Sequence, residues 1–140
     1  MTREIEQQLA SYAEAWSSHD IERIASFFTD DCSYEDVALG VLNRGKEQLK
    51  AFVQATFAAF PDFAIEPRSL FAAGEWAATE WVMSGTHHGD LPEIPATGKG
   101  FSVRGVSILE LQGGKIRRNS DYWDMASFLR QIGLMPPESK

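Results

Sequence analysis

Hydrophobic positions change their period once along the chain, near residue 62, and the change separates two sets of elements. Ahead of it they recur at helical spacing. Ile5, Leu9, Tyr12, Ala13 and Trp16 form one amphipathic stripe, interrupted by the sequence SSHD. Asp20 or Ser18 can cap a second helix carrying Ile21, Ile24, Phe27 and Phe28. The sequence TDDC then reads as a turn and CSYEDV as a short strand. A third helix is expected over NRGKEQLKAFVQATFAAF, with Leu49, Phe52, Val53, Phe57 and Phe60 on its stripe, and Pro61 stops it.

Beyond residue 62 the pattern is β-rich. FAIEPRSLFAA, EWAATEWVMSGTHH, GFSVRGVSILELQ and KIRRNSDYW read as strands, and AAGE and QGGK supply hairpin turns. GDLPEIPATGKG is the longest irregular stretch, a Pro- and Gly-marked loop placed to lie over a pocket mouth. MASFLRQIG closes the pattern as a short helix ended by Gly133. Residues 1–140 are therefore expected to form a single domain: 1–62 mainly helical with one short strand, 63–124 a sheet, 125–133 a C-terminal helix and 134–140 a tail. Helices followed by an antiparallel run predict an α+β fold. Its N-terminal helices would pack on a strongly curved mixed or antiparallel sheet, a cone with an internal pocket.

Composition narrows the partners. With 140 residues, 44% hydrophobic and 11% aromatic, the chain can build one sizeable core and an apolar pocket. A net charge of -7 repels nucleic acid and anionic membrane, so neither is an expected partner. The single cysteine, Cys32, has no internal disulfide partner, and the charged N-terminus and the absence of a long apolar run point to a soluble, cytoplasmic protein. His87 and His88 are adjacent and point to opposite faces of a strand, and there is no Cys/His spacing elsewhere, so no metal site is expected.

Strand alternation sorts the residues that could do chemistry. In the last strand Asn119, Asp121 and Trp123 share one side, while Arg118, Ser120, Tyr122 and Asp124 share the other. Asp124 immediately precedes the final helix and reads as its N-cap, whereas Asp121 has no such local role. Asp36, in YEDV, becomes a usable general base if it faces the cavity, because burial raises a carboxyl pKa. Trp81, Met83 and His87 share a face, which makes His87 either a proton shuttle or a structural histidine. Tyr12, Trp16, Phe52, Phe57 and Trp81 read first as core aromatics, Tyr12 with a hydroxyl in need of a partner.

The stretches AEAWSSHDIERIASFFTDDCSYED, SGTHHGDLPEIPATGK and GGKIRRNSDYWDMASFLRQIG resemble the nuclear transport factor-like α+β cone superfamily, closest to its SnoaL-like polyketide cyclase branch. The resemblance covers nearly the whole chain and implies the fold more strongly than the reaction. Laid on the ketosteroid isomerases, Tyr12 matches an oxyanion donor and Asp36 a general base, with Ser107 where a second, acidic donor would stand. Laid on limonene-type epoxide hydrolases, Asp121 matches a water-activating aspartate and Tyr34 its tyrosine. Trp81 and Met83 replace the arginine and second aspartate of that site, which argues against epoxide hydrolysis. Laid on the SnoaL-like cyclases, His87, Asp124 and Gln131 match, so the family pattern favours Asp124 where strand parity favours Asp121. Parity and the DYWD spelling decide for Asp121 here, and a β-bulge in the last strand would reverse that choice.

The expected activity is cofactor-free proton transfer on a small apolar carbonyl compound: aldol cyclisation, isomerisation or dehydration. Asp36 and Asp121 form the acid/base pair, with Tyr12, Tyr34 and His87 as hydrogen-bond partners. Trp16, Phe57, Trp81, Met83 and Trp123 shape the pocket, and Ser107 lends a hydroxyl. The competing class is a non-catalytic ligand-binding or dimerisation module of the same fold. A homodimer through the outer sheet face, with Arg104, Val106, Ile108 and Glu110, fits either class.

Overall fold

In the computed structural model, which describes residues 2–136, the first stripe folds as α1 (Thr2–Ser17) and buries Leu9, Ala15 and Trp16. Asp20 caps α2 (Ile21–Ser26) by accepting the Arg23 N–H at 3.1 Å. Phe27 and Phe28 do not belong to that helix. Phe27 is its C-cap, and Phe28 opens β1 (Phe28–Asp36), so TDDC is part of a strand and not a turn. Pairing decides this: the Ile116 N–H donates to Phe27 O at 2.8 Å, and Phe28 lies opposite Ile116. An irregularity in register between Phe28 and Ser33 carries the exposed Asp30 and Asp31 past the partner strand.

A strand absent from the sequence reading, β2 (Val41–Arg44), pairs antiparallel with β1. It claims Asn43 and Arg44, so α3 (Gly45–Ala59) begins two residues later than its pattern suggests. Asn43 is buried opposite Tyr34 and donates to the Tyr34 carbonyl at 3.4 Å. Strands β3 (Ala64–Ala73), β4 (Trp76–Thr86), β5 (Gly100–Gln112) and β6 (Lys115–Trp123) follow as expected. Gly113 and Gly114 both have positive φ at the β5–β6 turn, which a type I′ hairpin requires.

The six strands lie in the order β2-β1-β6-β5-β4-β3, with β1 and β6 parallel and the remaining pairs antiparallel. The fold is thus α+β with a mixed, unclosed sheet. Helix α1 packs against β3 and α3 against β1, strands from opposite flanks, so the sheet bends around its helical layer. Phe28, Ile24, Leu49, Leu109 and Ile116 are completely or almost completely buried in the core this creates. Of the tail, residues 137–140 lie outside the described residues. Among the described residues no helix is long and apolar enough to cross a membrane.

Asp124 starts α4 (Met125–Gln131): its carboxylate accepts the Ser127 N–H at 3.0 Å and the Ser127 hydroxyl at 2.6 Å. Those bonds hold its pKa below the usual carboxylate range, the hydroxyl contributing most. Asp124→Ala is expected to lower unfolding stability by about 1 kcal/mol, as loss of an N-cap does. Urea denaturation checks this; an unchanged midpoint would show that the cap contributes nothing.

Candidate active site

Between the helices and the concave face of the sheet lies a cavity of about 820 Å³. Its walls are largely apolar, with Leu9, Trp16, Phe52, Phe63, Phe101 and Leu109 among them. The exposed Leu39, Arg68, Asp90 and Pro92 form part of its rim, so the GDLPEIPATGKG loop does stand at the cavity. The alternation of β5 is regular: Phe101, Val103, Ser107, Leu109 and Leu111 are buried on the concave side.

Asp121 sits on this wall with three side-chain donors around it. Ser107 donates its hydroxyl to Oδ1 at 2.5 Å, and Asn119 Nδ2 donates to the same oxygen at 2.8 Å. The Tyr34 hydroxyl donates to Oδ2. Burial pushes the Asp121 carboxyl up, and the three donors work against burial. Tyr34 is raised by burial and by the Asp121 charge, so its phenol stays protonated and remains a donor.

Asp36 ends β1 at the position paired with Asp121 on β6, and the Val37 N–H donates to the Asp121 carbonyl at 2.9 Å. Two carboxyls thereby line one cavity from adjacent parallel strands. The Trp123 indole N–H reaches both Asp36 oxygens, at 2.9 and 3.1 Å, and the Leu39 N–H adds 2.9 Å to Oδ1. Burial, reinforced by the Asp121 charge, nevertheless lifts the Asp36 pKa to about 6.

Tyr12, Trp16, Tyr34, Trp81, Met83, Ser107 and Trp123 all line the cavity. Tyr12 packs edge-on against Phe27 and Phe28, and burial raises its pKa, followed by the charge of Asp121. Two expected site residues are elsewhere. β4 ends at Thr86, so strand parity does not extend to His87. His87 is instead completely buried outside the cavity wall, its Nδ1 3.1 Å from the Thr97 hydroxyl and 3.3 Å from the Thr97 N–H. Phe57 turns toward the α1–α2 junction, where it stacks on His19 with ring centres 4.0 Å apart and lies edge-on to Trp16.

Sequence reasoning also missed donors. Asn119 shares the Asp121 face by parity, a usable signal that had no role attached to it. The indole N–H bonds of Trp81 and Trp123 had no local signal, because each bridges to another strand. Among the described residues no cluster of three His, Cys, Asp or Glu side chains is set to hold a metal ion.

The sequence profile of the SnoaL-like polyketide cyclases matches residues 6–132, nearly the whole described fold. The chain belongs to the SnoaL-like polyketide cyclase family. Among curated members, it is 36% identical to the nogalonic acid methyl ester cyclase of Streptomyces nogalater over 66% of this chain and 68% of that one. It is 32% identical to the cyclase aurE of Calcarisporium arbuscula, over 74% of each chain. A solved structure of ketosteroid isomerase-like fold from Catenulispora acidiphila, complexed with trimethylamine, superposes with a TM-score of 0.82, at 25% identity and over 100% of both chains. Of the two aspartates in the DYWD stretch of this SnoaL-like chain, Asp121 faces the cavity and Asp124 is the helix cap.

Proposed function

We propose that this protein closes a ring within a polyketide-like substrate by intramolecular aldol addition, with Asp121 as the proton-transferring base. The observation that carries the reading is the paired placement of Asp121 and Asp36 on the wall of one apolar cavity. Like charges at adjacent positions disfavour simultaneous ionisation, so near pH 6, where Asp36 still keeps its proton in part, the pair can hold one proton between them. In the ionised form Asp121 takes the proton from the carbon beside a substrate carbonyl, leaving an enolate. The enolate carbon attacks a second carbonyl of the same molecule, a C–C bond forms, and that oxygen becomes an alkoxide. A proton from Asp36 neutralises the alkoxide, and Asp121 returns its own proton to Asp36 to reset the pair. Substrate and product are isomers. No electrons leave the molecule and no other reactant is consumed.

Tyr34 and Ser107 keep the Asp121 carboxylate oriented, and Tyr12 offers a protonated phenol to an enolate oxygen. The apolar walls exclude water that would reprotonate the enolate. The curated cyclase from Streptomyces nogalater supplies a substrate to test, nogalonic acid methyl ester. Incubated with the protein, this ester should give a cyclic isomer of unchanged mass faster than the ester alone does. No acceleration of cyclisation across a panel of β-dicarbonyl esters would sink the reading. A homodimer through the outer sheet face is part of the proposal, supported by the exposed Phe71, Trp76 and Tyr122 there. A cytoplasmic setting is supported by the buried Cys32 thiol, which forms no disulfide.

A further inference from the structure

Gly105 lies on β5 between two tryptophans, paired with Trp81 on β4 and with Trp123 on β6. Its φ is not in the left-handed region, so its backbone does not demand glycine. Space does. A Cβ at this position would fall far inside contact distance of Cη2 and Cζ3 of Trp81, because the indole lies flat against the strand there. From that position the Trp81 Nε1–H reaches one pleat along β5 and donates to the Ser107 hydroxyl at 2.8 Å. A serine oxygen that accepts from an indole keeps its own single proton for another acceptor. Ser107 gives it to Asp121 Oδ1 at 2.5 Å.

We propose that Gly105 is a positioning residue: its missing side chain seats the Trp81 indole, the indole orients the Ser107 hydroxyl, and the hydroxyl holds Asp121. The inference rests on Asp121 being the proton-transferring group. It adds that a backbone position with no functional side chain governs how strongly that carboxylate holds its proton. The groups that face Asp121 are Tyr34 and Asp36 from β1, Tyr12 from α1, Ser107 from β5 and Asn119 from its own strand. Only Asp36 among them is a second carboxyl. None of the others can substitute for the Ser107 hydroxyl at Oδ1 except Asn119, which already donates there.

The test needs no substrate. Carbon-detected NMR follows the Asp121 carboxyl through a pH titration, and ¹H–¹⁵N spectra follow the Trp81 indole. Ser107→Ala should raise the Asp121 midpoint by about one unit, the loss of one hydrogen bond to a charged acceptor. Gly105→Ala should move the Trp81 indole signal and raise the midpoint in the same direction. Trp81→Phe, which keeps a ring over Gly105 but has no N–H, should raise the midpoint as well. Combined with Ser107→Ala, neither change should add a further shift, because all three act on one chain of bonds. The relay is overturned if Trp81→Phe leaves the midpoint in place, or if Gly105→Ala shifts it by an amount that adds fully to that of Ser107→Ala. Should Gly105→Ala unfold, Trp81→Leu in the same chain is expected to restore the fold by vacating the space. Failure to restore it overturns the seating argument. These readings are separable from catalysis, since an Asp121→Asn protein with full turnover would remove the catalytic role and leave the titration results intact.

Discussion

Asp121→Asn is expected to lower kcat on the cyclising ester by about 10²–10⁴-fold, the range that a positioned acid/base group supplies. The substitution is conservative in every other respect. Ser107 and Asn119 both donate to Oδ1, and an amide oxygen at that site keeps both bonds. The amide nitrogen then faces the Tyr34 hydroxyl, which can rotate from donating to accepting. Burial already raises the Asp121 pKa, so exchanging the carboxyl for a neutral isostere removes a destabilising charge at neutral pH. Unfolding stability should therefore be equal or higher while turnover collapses. Steady-state kinetics beside a denaturation curve separate the outcomes. Full activity would dismiss Asp121 from the chemistry, and a loss of activity matched by a loss of stability would make it structural.

The second large effect is a pH-dependent gain in stability from Asp36→Asn. Burial pushes the Asp36 carboxyl up to about 6 in the folded protein from its ordinary 3.8, so between those values the folded state binds more protons than the unfolded one. Stability from this group is greatest below the lower value and falls as pH rises through 6, opposite to a salt-bridged aspartate. At pH 7 the buried charge costs about 3 kcal/mol on that difference. Asparagine avoids the charge, and Oδ1 alone can still accept from both Leu39 and Trp123. Weakening of those two charge-assisted bonds offsets part of the gain, leaving about 2 kcal/mol at pH 7 and none at pH 4. Thermal unfolding of both proteins from pH 4 to 8 measures it. A gain independent of pH would show that Asp36 titrates normally and is no partner for Asp121.

Periodicity carried the fold where each element could bury its own stripe or face. The stripe of α1 and the alternation of β5 needed nothing beyond local sequence, and both stand where the pattern put them. It failed where a distant strand decided. Thr29–Cys32 looks like a turn because two aspartates sit in it, yet the pairing of Phe28 and Ser33 with β6 on either side of it makes it the irregular part of β1. VLNR is too short and too irregular to announce a strand, and only the edge offered by β1 makes it one. The same division runs through the site. Asp121 could be assigned to the cavity by counting residues along one strand. His87 could not, because counting says nothing about where a strand stops, and β4 stops one residue before it. Phe57 shares a helical stripe with buried Leu49 and Val53 but stands at its margin, where the neighbouring helix takes it.

Among the described strands β6 comes last in chain order, yet it sits in the middle of the sheet, between β1 and β5. Until it docks, β1 and β5 each present an unpaired edge that the finished sheet lacks, and Asp36 has no carboxyl partner because Asp121 lies on β6. Closure of the sheet and assembly of the two carboxyls are therefore one event. A chain in which β6 has not yet docked presents an open groove with Asp36 alone, and the docking of β6 completes the core and the carboxyl pair together.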